Sequence, residues 1–351
     1  MTNTEDESWM GIALAEAKKG LGLTSPNPAV GAVIVRDGRE LSRGWHRRCG
    51  QAHAEREALA ALQPGEARGA TIFVTLEPCS TPGRTGACCD VLIEAGLARV
   101  VYGIRDPNPD HAGKADELFL AAGIAVSSGV LEKECRHLIR GFEMTKTSGR
   151  PWVIAKTAIS LDGRITRPPG EGQWLTGIGA REEVQCLRCE ADAIITSGAT
   201  VRADDPALTV RHSEAGERSR QPRRVVVTRS EHDWSRYRIF SDQDAGRSLL
   251  FRDQSLYDIL RTLSDEYGIC TVLVEAGGGL LGSFQDESLI DEWVIYLAPL
   301  VTGGPAVGLG GNGATTLASR TALRDLSIHQ VGPDVCARGL VQRGKAPELE
   351  R

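Results

Sequence analysis

Apolar side chains recur at helical spacing over residues 9–20, until the run SPNP, Ser25 to Pro28, breaks the pattern. A continuous apolar stretch, Val30–Val35, predicts a strand that closes in a turn at Asp37-Gly38. HAEREALAAL, His53–Leu62, predicts a helix, and the β-branched run Thr71–Leu76 predicts a strand. A helix at Asp90–Ala95, a strand at Val100–Tyr102 and a helix at Ala115–Ala122 ended by Gly123 follow. This alternation predicts an α/β sandwich around a mostly parallel sheet.

The periodicity stops in TKTSGRP, near Lys146–Pro151, and places a domain boundary there. The first domain is expected over residues 1–147 and the second over 148–345, with a polar, disordered tail at 346–351. The second half opens with a strand at Trp152–Ser160. Further strands are expected at Ala193–Thr196, Arg224–Thr228, Thr271–Glu275 and Trp293–Leu300, and helices at Ala180–Cys189 and Leu256–Tyr267. No internal repeat links the halves. A chain of 351 residues also exceeds what one ordinary core supports.

Composition narrows the class. The formal net charge of -5 disfavours a nucleic-acid partner, because neutralised phosphates supply most of that affinity. The one dense basic stretch, Arg218 to Arg224, reads first as a solvated loop. The polar, acidic start MTNTEDESWM is no secretory signal, and no run of about 18 apolar residues suggests a membrane span. Nine cysteines, an odd number, do not suggest a disulfide framework. A reduced, cytoplasmic protein is expected, whose clustered cysteines serve metal binding or packing.

The most specific chemistry lies in His53-Ala54-Glu55, followed by Pro78-Cys79 and Cys88. Hydrolytic deamination needs a nucleophile stronger than water and a group that moves protons. Zinc supplies the first, and a glutamate that is not a ligand supplies the second. His53 and Glu55 sit in the first turn of the expected helix. Cys79 and Cys88, if placed at helix N-termini, would be held as thiolates by unpaired amides. One imidazole and two thiolates leave a tetrahedral zinc an open position. A structural zinc site or three buried thiols is the bland alternative, but neither needs Glu55. Cys89 could exchange roles with Cys88, while Cys49 fits no ligand pattern. Cys186 and Cys189 fall inside a helix and read as core or surface residues.

The pattern resembles the zinc nucleoside-deaminase signature H-x-E…P-C-x-x-C, except that eight residues separate Cys79 from Cys88. EPCSTPGRTGACCD resembles the deaminase domain of the bifunctional riboflavin-biosynthesis deaminase/reductase family. The likeness continues through SPNPAVGAVIV, GWHRRCGQAHAE and RDPNPDHAGK, and then along the second half. It implies a cytidine-deaminase-like α/β/α sandwich, with His53, Cys79 and Cys88 on zinc and Glu55 shuttling protons. It also implies that Asn27, His46, Arg84 and Asn108 contact substrate. Thr81 and Gly86-Ala87 depart from the family's usual histidine and Pro-Pro.

In the second half, AKTAISLDGRI, GQWLT, SGATVRADDPALTVR and VEAGGGLLGSF occur in an order that resembles the family's reductase domain. The resemblance implies a dihydrofolate-reductase-like α/β fold with NADPH as hydride donor. Cofactor contacts would fall at Ala158, Trp174, Thr200, Asp204, Gly277, Gly278 and Gly279. Lys156, as a catalytic residue, would face the sugar phosphate with Arg188, Leu208, Arg211 and Glu275. Taken alone, the Gly277–Gly279 loop lacks the G-x-G-x-x-G spacing and a plain turn explains it equally well. Trp174 could instead be core, Arg188 a surface charge, and Asp162 a turn residue. Gly172 and Arg229 depart from the family's usual residues.

The implied reaction sequence deaminates 2,5-diamino-6-ribosylamino-4(3H)-pyrimidinone 5′-phosphate, then reduces its ribosyl group to ribityl. The implied partner is this small pyrimidine ribosyl phosphate, handled by a homo-oligomer without nucleic acid or membrane. Two competing readings are a base-editing deaminase and a second half that binds nucleotide without turnover.

Overall fold

The computed structural model describes residues 4–81, 86–108, 112–165, 174–211, 220–316 and 319–343. Arg84, Gly172, the Arg218 end of the basic stretch and the expected tail lie outside them. The chain forms two compact units, Met1–Gly149 and Arg150–Arg351. Among the described residues, no helix is long and apolar enough to cross a membrane.

The first unit runs α1 (Thr4–Lys18), β1 (Gly31–Arg36), β2 (Arg39–Trp45), α2 (Ala54–Ala60), β3 (Thr71–Leu76) and α3 (Cys88–Glu94). It continues with β4 (Arg99–Ile104), α4 (Lys114–Ala121), β5 (Ala125–Ser128), α5 (Glu132–Leu138) and α6 (Arg140–Ser148). The sheet order is β2-β1-β3-β4-β5. β3, β4 and β5 are parallel, but β1 pairs antiparallel with both β2 and β3. The sheet is therefore mixed, not mostly parallel as the element alternation predicts. The reason is β2: RELSRGW is too polar to stand out by hydrophobicity, yet the Asp37-Gly38 turn folds it back on β1. TKTS, read as part of a linker, is the last turn of α6, which stops at Gly149 in the left-handed region (φ 67).

Two glycines set how closely helices approach this sheet. A Cβ on Gly31 would lie 2.1 Å from the Ala13 carbonyl oxygen of α1. A Cβ on Gly44 would lie 2.4 Å from the Ala58 amide nitrogen of α2. Gly44 pairs with Ala32, the neighbour of Gly31, so the two helices cover opposite faces. Bare backbone at Gly44 thus brings α2 onto β2, and with it the His53-Ala54-Glu55 turn.

The second unit runs β6 (Trp152–Ser160), α7 (Ile178–Glu190), β7 (Ala193–Ser197), α8 (Gly198–Asp204), β8 (Arg223–Thr228) and α9 (Arg238–Ser241). Then come β9 (Ser248–Arg252), α10 (Leu256–Tyr267), β10 (Thr271–Glu275), α11 (Gly278–Asp286), β11 (Glu292–Ala298), β12 (Leu323–Val331) and β13 (Asp334–Val341). The sheet order is β12-β13-β11-β6-β10-β7-β8-β9. The six strands from β11 to β9 are parallel, and β13 and β12 add an antiparallel edge. Val153 and Ala155 join one buried cluster and Ile154 another, so β6 is apolar on both faces, as a covered parallel strand must be. The hairpin β12–β13 escapes sequence reading because β12, LRDLSIHQV, is a largely exposed edge.

Asp291, buried before β11, ties the second unit's entry strand in place. Its carboxylate accepts from Arg150 Nη1 and Nη2 (2.7 and 2.8 Å), the Val153 amide (2.9 Å) and Arg343 Nη2 (2.7 Å). Removing one partner of a buried pair leaves an uncompensated charge, so Asp291→Ala should destabilise this unit by about 3–5 kcal/mol. Urea unfolding of the full chain measures this, and a loss below about 1 kcal/mol would contradict the role.

Candidate active sites

Three elements of the first unit converge on one point. His53 is the N-cap of α2, extended at φ -73 and ψ 163, and its imidazole caps nothing. Cys79 follows β3 through Glu77 and Pro78, and Cys88 is the first residue of α3. His53 Nδ1 lies 3.6 Å from Cys79 Sγ and 3.3 Å from Cys88 Sγ, and all three donor atoms fall within 4.8 Å of one another. Cys89 Sγ turns to the Pro78 carbonyl at 3.5 Å, which leaves Cys88 as the second thiol of the cluster. Cys49 and Cys186 are exposed.

Of the two cysteines only Cys88 meets the condition of starting a helix; Cys79 lies in a loop. The α3 N-terminus serves Cys79 nonetheless, since the Cys88 amide donates to Cys79 Sγ at 3.3 Å. The Cys88 thiol, the His53 ring and that amide draw the Cys79 thiol well below the ordinary thiol range, against the opposing effect of burial. The same Cys79 contact, together with burial and Glu55, drives Cys88 upward. By itself the pair carries one thiolate, because two adjacent anions in a desolvated site repel. A divalent cation among the three donors removes that conflict. The N, S, S donor set is of the kind zinc takes when it keeps an open position.

A cavity of about 240 Å³ opens over His53 and Cys79. Asn27, His46, Glu55, Glu77, Asn108 and Lys146 are among its lining residues. Glu55 is 3% exposed, and burial raises its carboxyl above the ordinary value. His46 Nδ1 lies 2.9 Å from the Ala52 carbonyl oxygen and Nε2 lies 3.2 Å from the Asn27 amide nitrogen. The carbonyl can only accept, so Nδ1 carries the proton and Nε2 accepts from Asn27. Burial also lowers the His46 pKa, which suits this neutral tautomer.

Lys146 and Glu77 are among the lining residues that escape the sequence reading. Lys146 sits on α6, within the run read as a linker, and stacks over the Phe142 ring at 5.5 Å. Glu77 is buried, and its carboxylate accepts from the amides of Asp106, Gly113 and Ala115 (3.1, 3.0 and 3.2 Å). It thereby anchors both ends of the loop that carries Asn108. A glutamate directly before Pro78-Cys79 was the available signal.

In the second unit, Lys156 on β6 and Glu275 at the end of β10 are directly paired residues of adjacent parallel strands. Lys156 Nζ lies 3.4 Å from Glu275 Oε2. Arg188 on α7 grips the same carboxylate through Nε and Nη2 (2.6 and 3.0 Å) and gives Nη1 to the Thr209 carbonyl (3.1 Å). Arg188 is therefore a buried clamp, which excludes the surface-charge alternative. Burial would raise the Glu275 carboxyl, but Arg188 and Lys156 outweigh it and hold it down to about 2.

The glycine turn lies at the neighbouring strand ends. The Gly277 amide donates to Thr200 Oγ1 at 3.3 Å. Gly277 caps α11 without a side chain, and nothing lies within 4 Å of a Cβ placed on Gly279. A Cβ on Gly278 would lie 2.2 Å from the Val307 carbonyl oxygen, so that residue must be glycine. The uncapped amides of this first turn and the open space beside them fit a pyrophosphate. Ala158 lies two residues beyond Lys156 on β6. Trp174 is 49% exposed, not core, with the Arg181 guanidinium 5.4 Å from its ring centre. Asp204 closes α8, and Leu208 is buried with its backbone in the left-handed region (φ 48). Arg211 is exposed and its amide binds Gln185 Oε1 (2.9 Å). Asp162 is indeed a turn residue: it accepts from Ser160 Oγ and from the amides of Thr302 and Gly303 (2.6, 3.1 and 2.7 Å).

Residues 3–104 match the family model of the cytidine and deoxycytidylate deaminase zinc-binding region, and residues 151–337 that of the RibD C-terminal domain. The riboflavin biosynthesis protein RibD of Escherichia coli (strain K12) is 40% identical, across 95% of this chain and 98% of that protein. The chain belongs to the RibD family. The RibD of Aquifex aeolicus (strain VF5) is 34% identical across 94% of this chain and 97% of its own. An Acinetobacter baumannii RibD structure matches with a TM-score of 0.88 at 36% identity, covering 97% of this chain and 99% of that one. A Thermotoga maritima deaminase/reductase matches at 0.86 with 33% identity and the same coverage. The chain is a bifunctional enzyme of riboflavin biosynthesis, with a zinc-dependent deaminase domain and an NADPH-dependent reductase domain.

The Glu275 cluster gives the second unit a defined acid response. A carboxyl held at about 2 when folded, against an ordinary 4.5, adds stability that is complete above 4.5 and lost as pH falls towards 2. Glu275→Gln should therefore lower stability at neutral pH and flatten its decline between those values. Denaturant titrations across that pH window test this, and an unchanged slope would contradict it.

Proposed function

We propose that the first domain, residues 1–147, deaminates 2,5-diamino-6-ribosylamino-4(3H)-pyrimidinone 5′-phosphate, and that the second, 148–345, reduces the deaminated product. The observation that carries this reading is Glu55 in the same cavity as His53 and Cys79, whose donor atoms cluster with that of Cys88. The Thermotoga maritima relative bears the name of this deaminase and reductase pair.

In the first domain His53, Cys79 and Cys88 would hold zinc, which would supply Lewis acidity and make a water more acidic. Glu55 takes a proton from the attacking water and passes it to the departing amino nitrogen, so that ammonia leaves and a carbonyl remains. Asn27, aligned by His46, reads the pyrimidine edge together with Asn108, whose loop Glu77 holds. Arg84 and the Lys146 ammonium meet the phosphate.

In the second domain the Gly277–Gly279 turn, Thr200, Ala158, Trp174 and Asp204 would receive NADPH, which would supply the hydride for carbon 1 of the opened ribose. The Lys156 ammonium donates the balancing proton. Glu275 and Arg188 fix its position, because the Arg188 fork is already committed to Glu275. Two cations against one carboxylate leave a positive balance, and Arg211 adds to it, which suits a phosphate carrying about two negative charges. Leu208 shapes the wall beside them. Exposed Leu326 and Ile328 on the edge strand β12 support a homo-oligomer, and nine cysteines, an odd number in a long chain, support a cytoplasmic setting.

The two activities should separate cleanly. Glu55→Ala should lower ammonia release by roughly 100-fold or more while NADPH oxidation persists on supplied deaminated intermediate. Undiminished ammonia release would remove Glu55 from the mechanism. Lys156→Ala should do the reverse, slowing only NADPH oxidation by about 100-fold. Equal loss of both activities would indicate general misfolding and not a role in reduction.

A further inference from the structure

A second set of donor atoms lies in the reductase domain, among residues that neither reaction uses. His329 on β12 and Cys336 on β13 are direct cross-strand partners, and Cys336 in turn pairs with Tyr296 on β11. Directly paired residues project to the same face of a sheet, so the three side chains form one row. Glu183 of α7 meets that row. Its Oε1 lies 2.9 Å from His329 Nε2, and its Oε2 accepts from the Tyr296 hydroxyl at 3.3 Å. The imidazole nitrogen, the carboxylate oxygen and the Cys336 sulfur all lie within 4.8 Å of one another.

Three further observations bear on what this cluster can hold. Cys336 is buried while His329 is exposed, so a thiol lies at the base of a cluster that opens to solvent. Arg338, two residues along β13, is ion-paired with Glu292, which compensates the cation nearest Cys336 in sequence. The donors also come from three separate elements whose backbone register is fixed by the sheet, so the cluster is set by topology and not by one flexible loop. A mixed N, O, S set of this kind is selective for thiophilic late first-row cations and their heavier congeners, not for calcium or magnesium.

We propose that Glu183, His329 and Cys336 form a second metal site for a zinc-class divalent cation, separate from the His53, Cys79 and Cys88 centre. With three protein donors, a fourth position is left for water. Tyr296 holds the ligating carboxylate from behind, in the way outer hydrogen bonds orient metal ligands. The bound cation cross-links the β12–β13 edge hairpin to α7, the helix that also carries Arg188. Binding to the folded state alone stabilises the reductase domain.

The test uses the zinc-replete full chain, with the first centre already filled. Calorimetric titration with Zn2+, and with Cd2+ read through its thiolate charge-transfer absorption, should show a second equivalent per chain and a rise in the melting temperature. Cys336→Ser should abolish the charge-transfer signal. His329→Gln, a surface change that leaves the core intact, should weaken the second equivalent by roughly 10-fold or more and suppress the thermal shift. Both variants should retain the first equivalent and ammonia release. No uptake beyond the pre-filled first equivalent in the unmodified protein, or a second equivalent that persists undiminished in both variants, overturns the proposal. Loss of the first equivalent instead would count against the assignment of the deaminase centre and leaves this test distinguishable from it.

Discussion

Two thiols in a desolvated pocket cannot both be anionic unless a cation lies between them, and the deaminase domain is organised around that constraint. Cys79 is drawn low and Cys88 is pushed high by the same contact, so the protein alone supplies a mismatched pair. A metal ion turns that mismatch into a matched set of ligands. The elements that bring the pair together are short and rigid: the exit of β3, the first turn of α3 and the N-cap of α2. Bare backbone at Gly44 lets α2 lie close enough for His53 to join them.

The reductase domain solves a related problem with charges of both signs. Glu275 would be expensive to bury alone, but adjacency of β6 and β10 brings Lys156 beside it, and α7 brings Arg188. The C-terminal ends of parallel strands are where open α/β sheets bind ligands. Glu275 and the turn before α11 sit at that edge, and Lys156 is paired with Glu275 from the middle of β6. Arg188 spends its hydrogen bonds on Glu275, which makes it a support for the cluster and leaves Lys156 as the cation with capacity to spare.

Much of the first centre was legible in the chain itself. His53, Glu55, Cys79 and Cys88 carry a spacing that local chemistry explains, and the choice of Cys88 over Cys89 agrees with the way Cys89 turns to Pro78. Lys146 was not legible, because a polar last turn of a helix has the same composition as a linker. Glu77 was hidden for another reason: its partners are backbone amides about 30 to 40 residues away, and amides leave no mark on sequence. The strands β2 and β12 were missed because edge strands carry polar residues on their exposed faces.

The sequence by itself determined the donor types, the two-part organisation and the apolar strands that build both sheets, since those follow from side-chain chemistry and hydrophobic period. Only the tertiary structure decided that the first sheet is mixed, that Arg188 clamps Glu275, and that Glu183, His329 and Cys336 meet. Strand order and register bring together residues separated by more than a hundred positions, and backbone pairing of that kind is encoded in no local pattern.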